Sequence, residues 1–551
     1  MTESVISFFM RRFDDDCTNS LRACWCYLLI LVATGCGAAA TTSITPPMTP
    51  DAIADQATAD EVTADEATAP GEVVGTGRSP SSEHEGLWDA FYIEESKVGH
   101  GRTIVEPIDE DGRAVIKTTS ENVLKLKRFG RSIEQQISLE SIETPDGEVI
   151  RFRSEMLAGP SPVVTSGQVV DGRMNITMST QGKSVSRDLD WAPDWGGFFA
   201  TEQTLERKPM QPGEVRTLTS LVPVFTQSAE VTLEAIDYES TQLLTEVREL
   251  LRIRSTVRLS DDNQIESFFW TDRHGRTLKS HVPGINQYGY RTTRELALDD
   301  GGTSTFDLGD HSIVPVARRL ARPHDTRQIV YRVHLNNGDP HAVFPSGPTQ
   351  SVRSLDDTTA EITVRAIRAT EPADLAIDEG SQPVAADRNA NNLVQSDDPR
   401  IVAMAAGVAP DETDAWRLAQ YLEQYVRRQI RAKNFSQAFA TAAEVAETLE
   451  GDCTEHSVLL AALCRAREIP ARVAMGLVYY EAKRGYAYHM WNEVWSGDRW
   501  VPLDATLGRG GIGAAHLKLG DSNLDGATAY SAFLPVFRVM GQLQIELVEV
   551  E

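Results

Sequence analysis

The chain has 551 residues, too many for one ordinary core, and its formal net charge of −27 argues against nucleic acid as a partner, since phosphate binding needs a basic face. Of its 6 cysteines, Cys17, Cys24, Cys26 and Cys36 crowd the N-terminus, which excludes a disulfide framework through the folded bulk. Cys453 and Cys464 fall in one expected helix, roughly 16 Å apart along its axis, too far for a disulfide, so Cys453 is expected to be a free thiol.

Arg11, Arg12 and Arg22 precede an apolar run from Cys24 to Ala33, followed by small residues and Cys36. A basic start, about ten apolar residues and a small-residue exit describe a secretory signal, too short to span a bilayer for good. LVATGC resembles a bacterial lipobox. That resemblance implies cleavage before Cys36, its acylation, and a membrane partner through the N-terminal lipid. An ordinary cleaved signal and a single anchor helix are the alternatives, and Asp14 to Asp16 leave Met10 open as the true start. Residues 37–86 are rich in Ala, Thr, Pro, Asp and Glu, with TADEV repeated as TADEA. With little apolar surface to bury, they are expected to be a disordered acidic tether.

Residues 87–321 change to period-two alternation. Leu124 and Leu126 alternate with Lys125 and Lys127, and Leu251 and Ile253 with Arg252 and Arg254, as in strands with one wet face. Turn signals recur at Asp146-Gly147, Asp171-Gly172 and His274-Gly275. IETPDGEVIRFRS and FWTDRHGRTLKS look related, so an antiparallel β module with a duplicated unit is expected. Trp88, Trp191, Trp195 and Trp270 are read as core rather than as a ligand groove. Residues 322–395 add strands (IVYRVHL, AEITVRAI) and a polar linker. From 396 to 551 helical signals enter. Leu418, Leu422, Tyr425 and Val426 make one apolar stripe, capped by Asp411, Thr413 or Asp414, and TAAEVAETL is a second helix. The fold class is α+β, a mainly antiparallel β region followed by helices packed on an antiparallel sheet.

Gly451 ends a helix and Asp452 suits an N-cap, which puts Cys453 in the first turn of CTEHSVLLAALCRARE, whose apolar face is Leu459, Ala462, Leu463 and Ala466. A helix start favours a thiolate, the nucleophilic form. The bland alternative is a small buried cysteine opening a core helix. Ile469–Tyr480 and Tyr488–Ser496 read as strands, and a tight turn at Gly497-Asp498 sets Ser496 opposite Arg499, Trp495 opposite Trp500 and Trp491 opposite Asp504. His489 then lies diagonal to Asp504 on one face. This suits a nucleophile, base and orienter. Trp491 is a wall of the site or an oxyanion donor, with the Cys453 backbone N–H as the other donor. Cys453, His456, His489 and Asp504 as zinc ligands form a weaker alternative, and His456 more readily shapes the helix start or the pocket.

The order GDC…HS…LLAALCRAREIPARVAMG…HMWNEVW…WVPLDAT resembles the transglutaminase-like superfamily, a branch of papain-like cysteine enzymes. The resemblance implies Cys453 as nucleophile, His489 as general base and Asp504 as orienter. It also implies acyl transfer on a protein or peptide substrate, most simply as a peptidase or amidase, with crosslinking transglutaminase activity as runner-up. A surface-anchored binding or assembly protein that has lost activity is the other class. No cofactor is expected; an acidic calcium loop of the needed spacing is not seen.

Overall fold

The structure is a computed structural model describing residues 86–157, 159, 161–222, 227–260, 263–299, 306–367, 382–431, 440–525 and 533–551. The expected signal, Cys36 and all but the last residue of the expected tether lie outside the described residues. Among the described residues no helix is long and apolar enough to cross a membrane.

Alternating sequence builds the first half. Strands β1 (Leu87–Ile93), β2 (Ser96–Glu110), β3 (Arg113–Arg128), β4 (Arg131–Glu143), β5 (Val149–Leu157), β6 (Val163–Val170), β7 (Arg173–Thr180) and β8 (Lys183–Asp190) form one antiparallel meander. A second runs through β9 (Val215–Val222), β10 (Gln227–Gln242), β11 (Val247–Ser260), β12 (Asn263–Thr271), β13 (Thr277–Val282) and β14 (Gln287–Thr292). Strand β14 pairs with β1, which joins the two into a 14-stranded sheet ending at β8 and β9. Leu124, Leu126, Leu251 and Ile253 are buried as the alternation requires. The two look-alike segments are both hairpins, β4–β5 and β12–β13. A helix at Ala200–Arg207 touches both halves. Gln203 donates to Glu143 at 2.7 Å, and the Leu205 carbonyl approaches Gly275 so closely that a Cβ there would lie 2.0 Å from it. The sheet therefore curls around this helix. Trp191 and Trp270 are buried, as expected of core, while Trp88 and Trp195 are half-buried.

The second half mixes two smaller sheets with helices. After β15 (Val314–Pro315) come β16 (Gln328–Leu335), β17 (Gln350–Asp356) and β18 (Thr359–Arg365). Then follow helices α1 (Pro399–Ala406), α2 (Ala415–Gln429), α3 (Ala442–Thr448) and α4 (Cys453–Ala466), and strands β19 (Ala471–Tyr480), β20 (Gly485–Ser496), β21 (Arg499–Leu503), β22 (His516–Ser522) and β23 (Leu543–Val550). Asp414 caps α2, accepting from the Arg417 N–H at 2.8 Å. One sheet runs β15-β20-β19-β22 with β21 also on β20; the other runs β17-β18-β16-β23. The strands read from sequence as a connector thus share a sheet with the last strand.

Helix α4 differs from its expected single apolar face, because every residue from Cys453 to Arg465 is buried. It lies between β19 and β20 on one side and α1, α2 and α3 on the others, so no face meets water. Two of its polar groups find partners inside: Arg465 donates to the carbonyls of Ala471, Asn389 and Asn523, and the Ser457 carbonyl accepts from Asn492 at 2.9 Å.

Candidate active site

The approach to Cys453 is a backbone device. Gly451 has φ +147°, and a Cβ there would meet the Glu455 side chain at 2.3 Å, so only glycine fits. Asp452 then closes a capping box. Its Oδ1 accepts the Thr454 N–H at 2.9 Å, and its own N–H donates to Glu455 Oε2 at 2.9 Å, which fixes Cys453 as the first helical residue. Cys453 and Cys464 are both free and buried.

Strand β20 brings the histidine. Its outer edge is paired by β15 only at Gly485 and Tyr486 and by β21 only from Asn492 to Ser496, which leaves a gap in the pairing between them. The Met490 backbone N–H, next to His489, favours the Cys453 thiolate, while the thiol itself donates to Asp452 Oδ1 at 3.7 Å. The turn at Gly497-Asp498 sets Ser496 opposite Arg499 and Trp495 opposite Trp500, as expected. Asp504 follows β21 directly and reaches His489: Nε2 to Oδ2 is 2.7 Å, both side chains being fully buried.

Asp504 is held on every side. Oδ1 accepts the N–H groups of Thr506 (2.8 Å) and Leu507 (3.3 Å), and Oδ2 also meets His516 Nε2 at 3.2 Å. Burial by itself would raise this carboxyl, but the charges and hydrogen bonds of His489 and His516 hold it well below the usual carboxylate range. As an ionised acceptor it keeps the His489 proton on Nε2. Nδ1, which has no hydrogen-bond partner among the described residues, is thereby the basic nitrogen.

One expectation changes and another narrows to one of its alternatives. Cys453 is not poised as a thiolate: burial pushes its thiol well up, the Glu455 and Asp504 charges add to that, and the Met490 N–H only partly opposes it. A helix terminus favours an anion by about 0.3–1 kcal/mol, too little against the loss of water, and here the capping carboxylates occupy its N–H groups. His456 belongs to the helix start rather than to a pocket, its Nδ1–H donating to the Asp452 carbonyl. Trp491 is buried, its ring 6.2 Å from His489 at 22° and 5.3 Å from His516 at 74°, the placement of a wall.

Residues 402–505 match the model of the transglutaminase-like superfamily. This segment is a transglutaminase-like core. It contains Cys453, His489 and Asp504. Among solved structures, the chain is similar to a candidate cysteine protease from Cytophaga hutchinsonii, at 16% identity and TM-score 0.27 over 41% of this chain and 86% of that one. A β-barrel-like protein of a domain family of unknown function from Brucella abortus matches at 12% identity and TM-score 0.29, over 38% of this chain and 97% of that one. The periplasmic domain of TgpA from Pseudomonas aeruginosa, bound to ethylmercury, matches at 15% identity and TM-score 0.23, over 33% and 91%. A search of curated proteins returns no match.

Two groups around the transglutaminase-like core's aspartate were not read from the sequence. His516 lies on β22, outside the matched segment, and shares Asp504 Oδ2 with His489. Substituting His516→Gln leaves Asp504 its two backbone donors and His489, so a loss in kcat of about 3- to 10-fold is expected, of the order of one hydrogen bond, measured as steady-state rates against pH. Glu423 of α2 is buried and accepts from the Asp504 N–H at 3.3 Å and the Gly510 N–H at 2.6 Å, so it fixes the loop that carries Asp504. Burial, with the Asp504 charge adding to it, raises its carboxyl to about 8. The folded state then keeps a proton that the unfolded chain gives up above the ordinary glutamate value of 4.5, so stability falls as pH rises from that value to about 8. Glu423→Gln is expected to flatten this part of a plot of Tm against pH, with the gain over wild type, up to a few kcal/mol, largest above pH 8. A variant curve parallel to wild type would refute this. Glu206, also raised to about 8 by burial, leaves some slope in place.

His489, Asp504 and His516 also offer three buried ligand atoms within 4.8 Å of one another, a donor set that suits zinc. Those atoms are already joined by hydrogen bonds, so a cation would displace the His489–Asp504 pairing rather than assist it. The four-residue zinc alternative is not assembled, since Cys453 and His456 lie outside that cluster.

Proposed function

We propose that this chain is a cysteine acyl-transfer enzyme, a peptidase or amidase, working through Cys453, His489 and Asp504. The observation that carries this reading is the buried His489 Nε2 to Asp504 Oδ2 bond of 2.7 Å, which leaves Nδ1 as the base next to the residue whose backbone N–H addresses Cys453. The Cys453 thiol passes its proton to His489 Nδ1 as sulphur attacks the substrate carbonyl carbon. The imidazolium then protonates the leaving amine, the C–N bond breaks and a thioester remains. Water, deprotonated by His489, attacks the thioester and releases the acid and the thiol.

A second reading is supported by burial. Cys453 and His489 are each only 1% exposed, and a site that excludes water favours an amine over water as the second acceptor, which gives a crosslink instead of hydrolysis. Peptide libraries with and without a primary amine donor, read by mass spectrometry against a Cys453→Ala blank, separate the two. New acids support hydrolysis and amine adducts support transfer; products equal in enzyme and blank overturn both. The basic and apolar N-terminal segment ending at Cys36 supports export and lipid anchoring at the bacterial cell envelope. Mass analysis of the mature N-terminus tests it: an unmodified start would rule the anchor out.

A further inference from the structure

The nucleophile helix opens on two carboxylates that take no part in the chemistry above. Asp452 is 3% exposed and Glu455 0%. Buried carboxylates need a cation or they weigh on the fold and on any anion formed beside them. Their cation comes from the other half of the molecule. Arg128, the last residue of β3, is 1% exposed and ion-paired with Asp452, and the Glu455 and Asp307 charges also favour it. Burial lowers its guanidinium to about 10, so it stays charged at neutral pH.

The hairpin that carries Arg128 is built to reach this point. Arg128 pairs with Arg131 across a two-residue turn, where Phe129 and Gly130 both have positive φ, 49° and 78°, as a type I′ turn requires. Asp307 accepts the Phe129 N–H at 2.8 Å and the Gly130 N–H at 2.7 Å. The Phe129 ring packs edge-on against Tyr480 of β19, with centroids 6.0 Å apart. A second hairpin docks on the preceding helix: Gln181, between β7 and β8, accepts from the Thr441 hydroxyl at 3.0 Å, and Thr441 is the N-cap of α3.

We propose that the β module completes the active site, with Arg128 as a positioning residue that sets Cys453 by neutralising the Asp452–Glu455 capping box. This rests on the enzymatic reading for its kinetic consequence, while its structural consequence stands apart from it. The transglutaminase-like core is then a site whose nucleophile depends on a side chain from outside it, and the module acts as an attached activating part.

The test uses the full chain with Arg128→Met, Asp452→Asn and the double variant. Removing one partner of a buried pair leaves the other unpaired, whereas removing both relieves it. Arg128→Met should therefore lower kcat at least about tenfold with KM within about twofold, and the double variant should recover most of that loss. A merely structural role for Arg128 predicts that kcat and Tm fall and recover together, so a loss and recovery of kcat without a matching change in Tm is the expected result. The rate of Cys453 carbamidomethylation, followed by mass spectrometry, needs no substrate and should change in Arg128→Met and return in the double variant. Equal labelling rates in all proteins overturn the proposal whatever the activity. If labelling responds while no substrate is turned over by wild type, the enzymatic reading fails and the coupling stands. Should Arg128→Met not fold, Arg128→Lys replaces it; recovery by Asp452→Asn is again the expected result, and its absence overturns the proposal.

Discussion

Replacing Cys453 by alanine is expected to abolish turnover, with kcat falling by roughly 10⁴- to 10⁶-fold, as when a nucleophile is removed from a site that acts as one unit. Among the described residues no other thiol is placed near the gap in β20 to form the acyl intermediate. His489 presents only Nδ1, Asp504 is fully engaged by four donors, and Cys464 is in the body of the same helix, its thiol raised to about 12 by burial. The substitution removes one sulphur and leaves the Met490 N–H without its acceptor, a stability cost of about 1–3 kcal/mol. Circular dichroism should therefore stay as in wild type and Tm fall by only a few degrees, which separates lost chemistry from lost fold. A Cys453→Ala protein retaining more than about one part in a thousand of the wild-type rate would remove the cysteine mechanism.

Asp504→Asn should be nearly as severe, with a kcat loss of roughly 10³- to 10⁴-fold, for a reason written into its hydrogen bonds. The Thr506 and Leu507 N–H groups demand an acceptor on one side of the side chain, so the new amide oxygen turns to them and the amide NH₂ faces His489. An NH₂ there forces Nε2 to accept, which moves the imidazole proton to Nδ1 and leaves no base next to Cys453. The fold should survive in neutral buffer, and its response to acid should change. The Asp504 carboxyl lies well below the ordinary aspartate value of 3.8, so the wild type has this stabilisation in full above that pH and loses it as pH falls towards the folded value. The asparagine protein lacks this term, so its acid-unfolding curve is shallower below pH 4. Nitrogen chemical shifts of His489 report the tautomer directly: a protonated Nε2 in the variant would contradict the argument even if activity were lost.

What the sequence revealed depended on whether a local rule governed it. The Gly497-Asp498 turn is two residues long, and a turn of that length fixes register, so His489 and Asp504 could be put on one face without a structure. The helix start at Cys453 was legible from Gly451 and Asp452 for the same reason. The protonation state of Cys453 was not, because it depends on how much water the surrounding chain removes, which no spacing encodes. His516 was hidden as well, since the β19–β22 pairing shifts register between Met475 and Gly476 and only that tertiary alignment points its ring at Asp504. Glu423 and Arg128 did leave a signal. Arg128 continues the inward alternation of Leu124 and Leu126, and Glu423 falls on the buried face between Ala419 and Val426. In both cases an ionisable group occupies a position that the period assigns to the core, and such a group calls for partners inside: Asp452 for Arg128, and the Asp504 and Gly510 N–H groups for Glu423.

The pairing of β16 with β23 has a consequence for how the chain is made. Asn336 and Gln544, which bond across that junction, are 208 residues apart, and everything that contains Cys453, His489 and Asp504 is threaded between them. At a synthesis rate of about 5–20 residues per second, the β16 edge waits roughly ten to forty seconds for its neighbour, with its backbone groups unpaired and open to a wrong strand. By then the long sheet, whose last strand in chain order is β14, has all its strands, so the Arg128 hairpin can stand ready before the helix it receives exists. Assembly in this chain therefore runs from a finished receptor to a late guest.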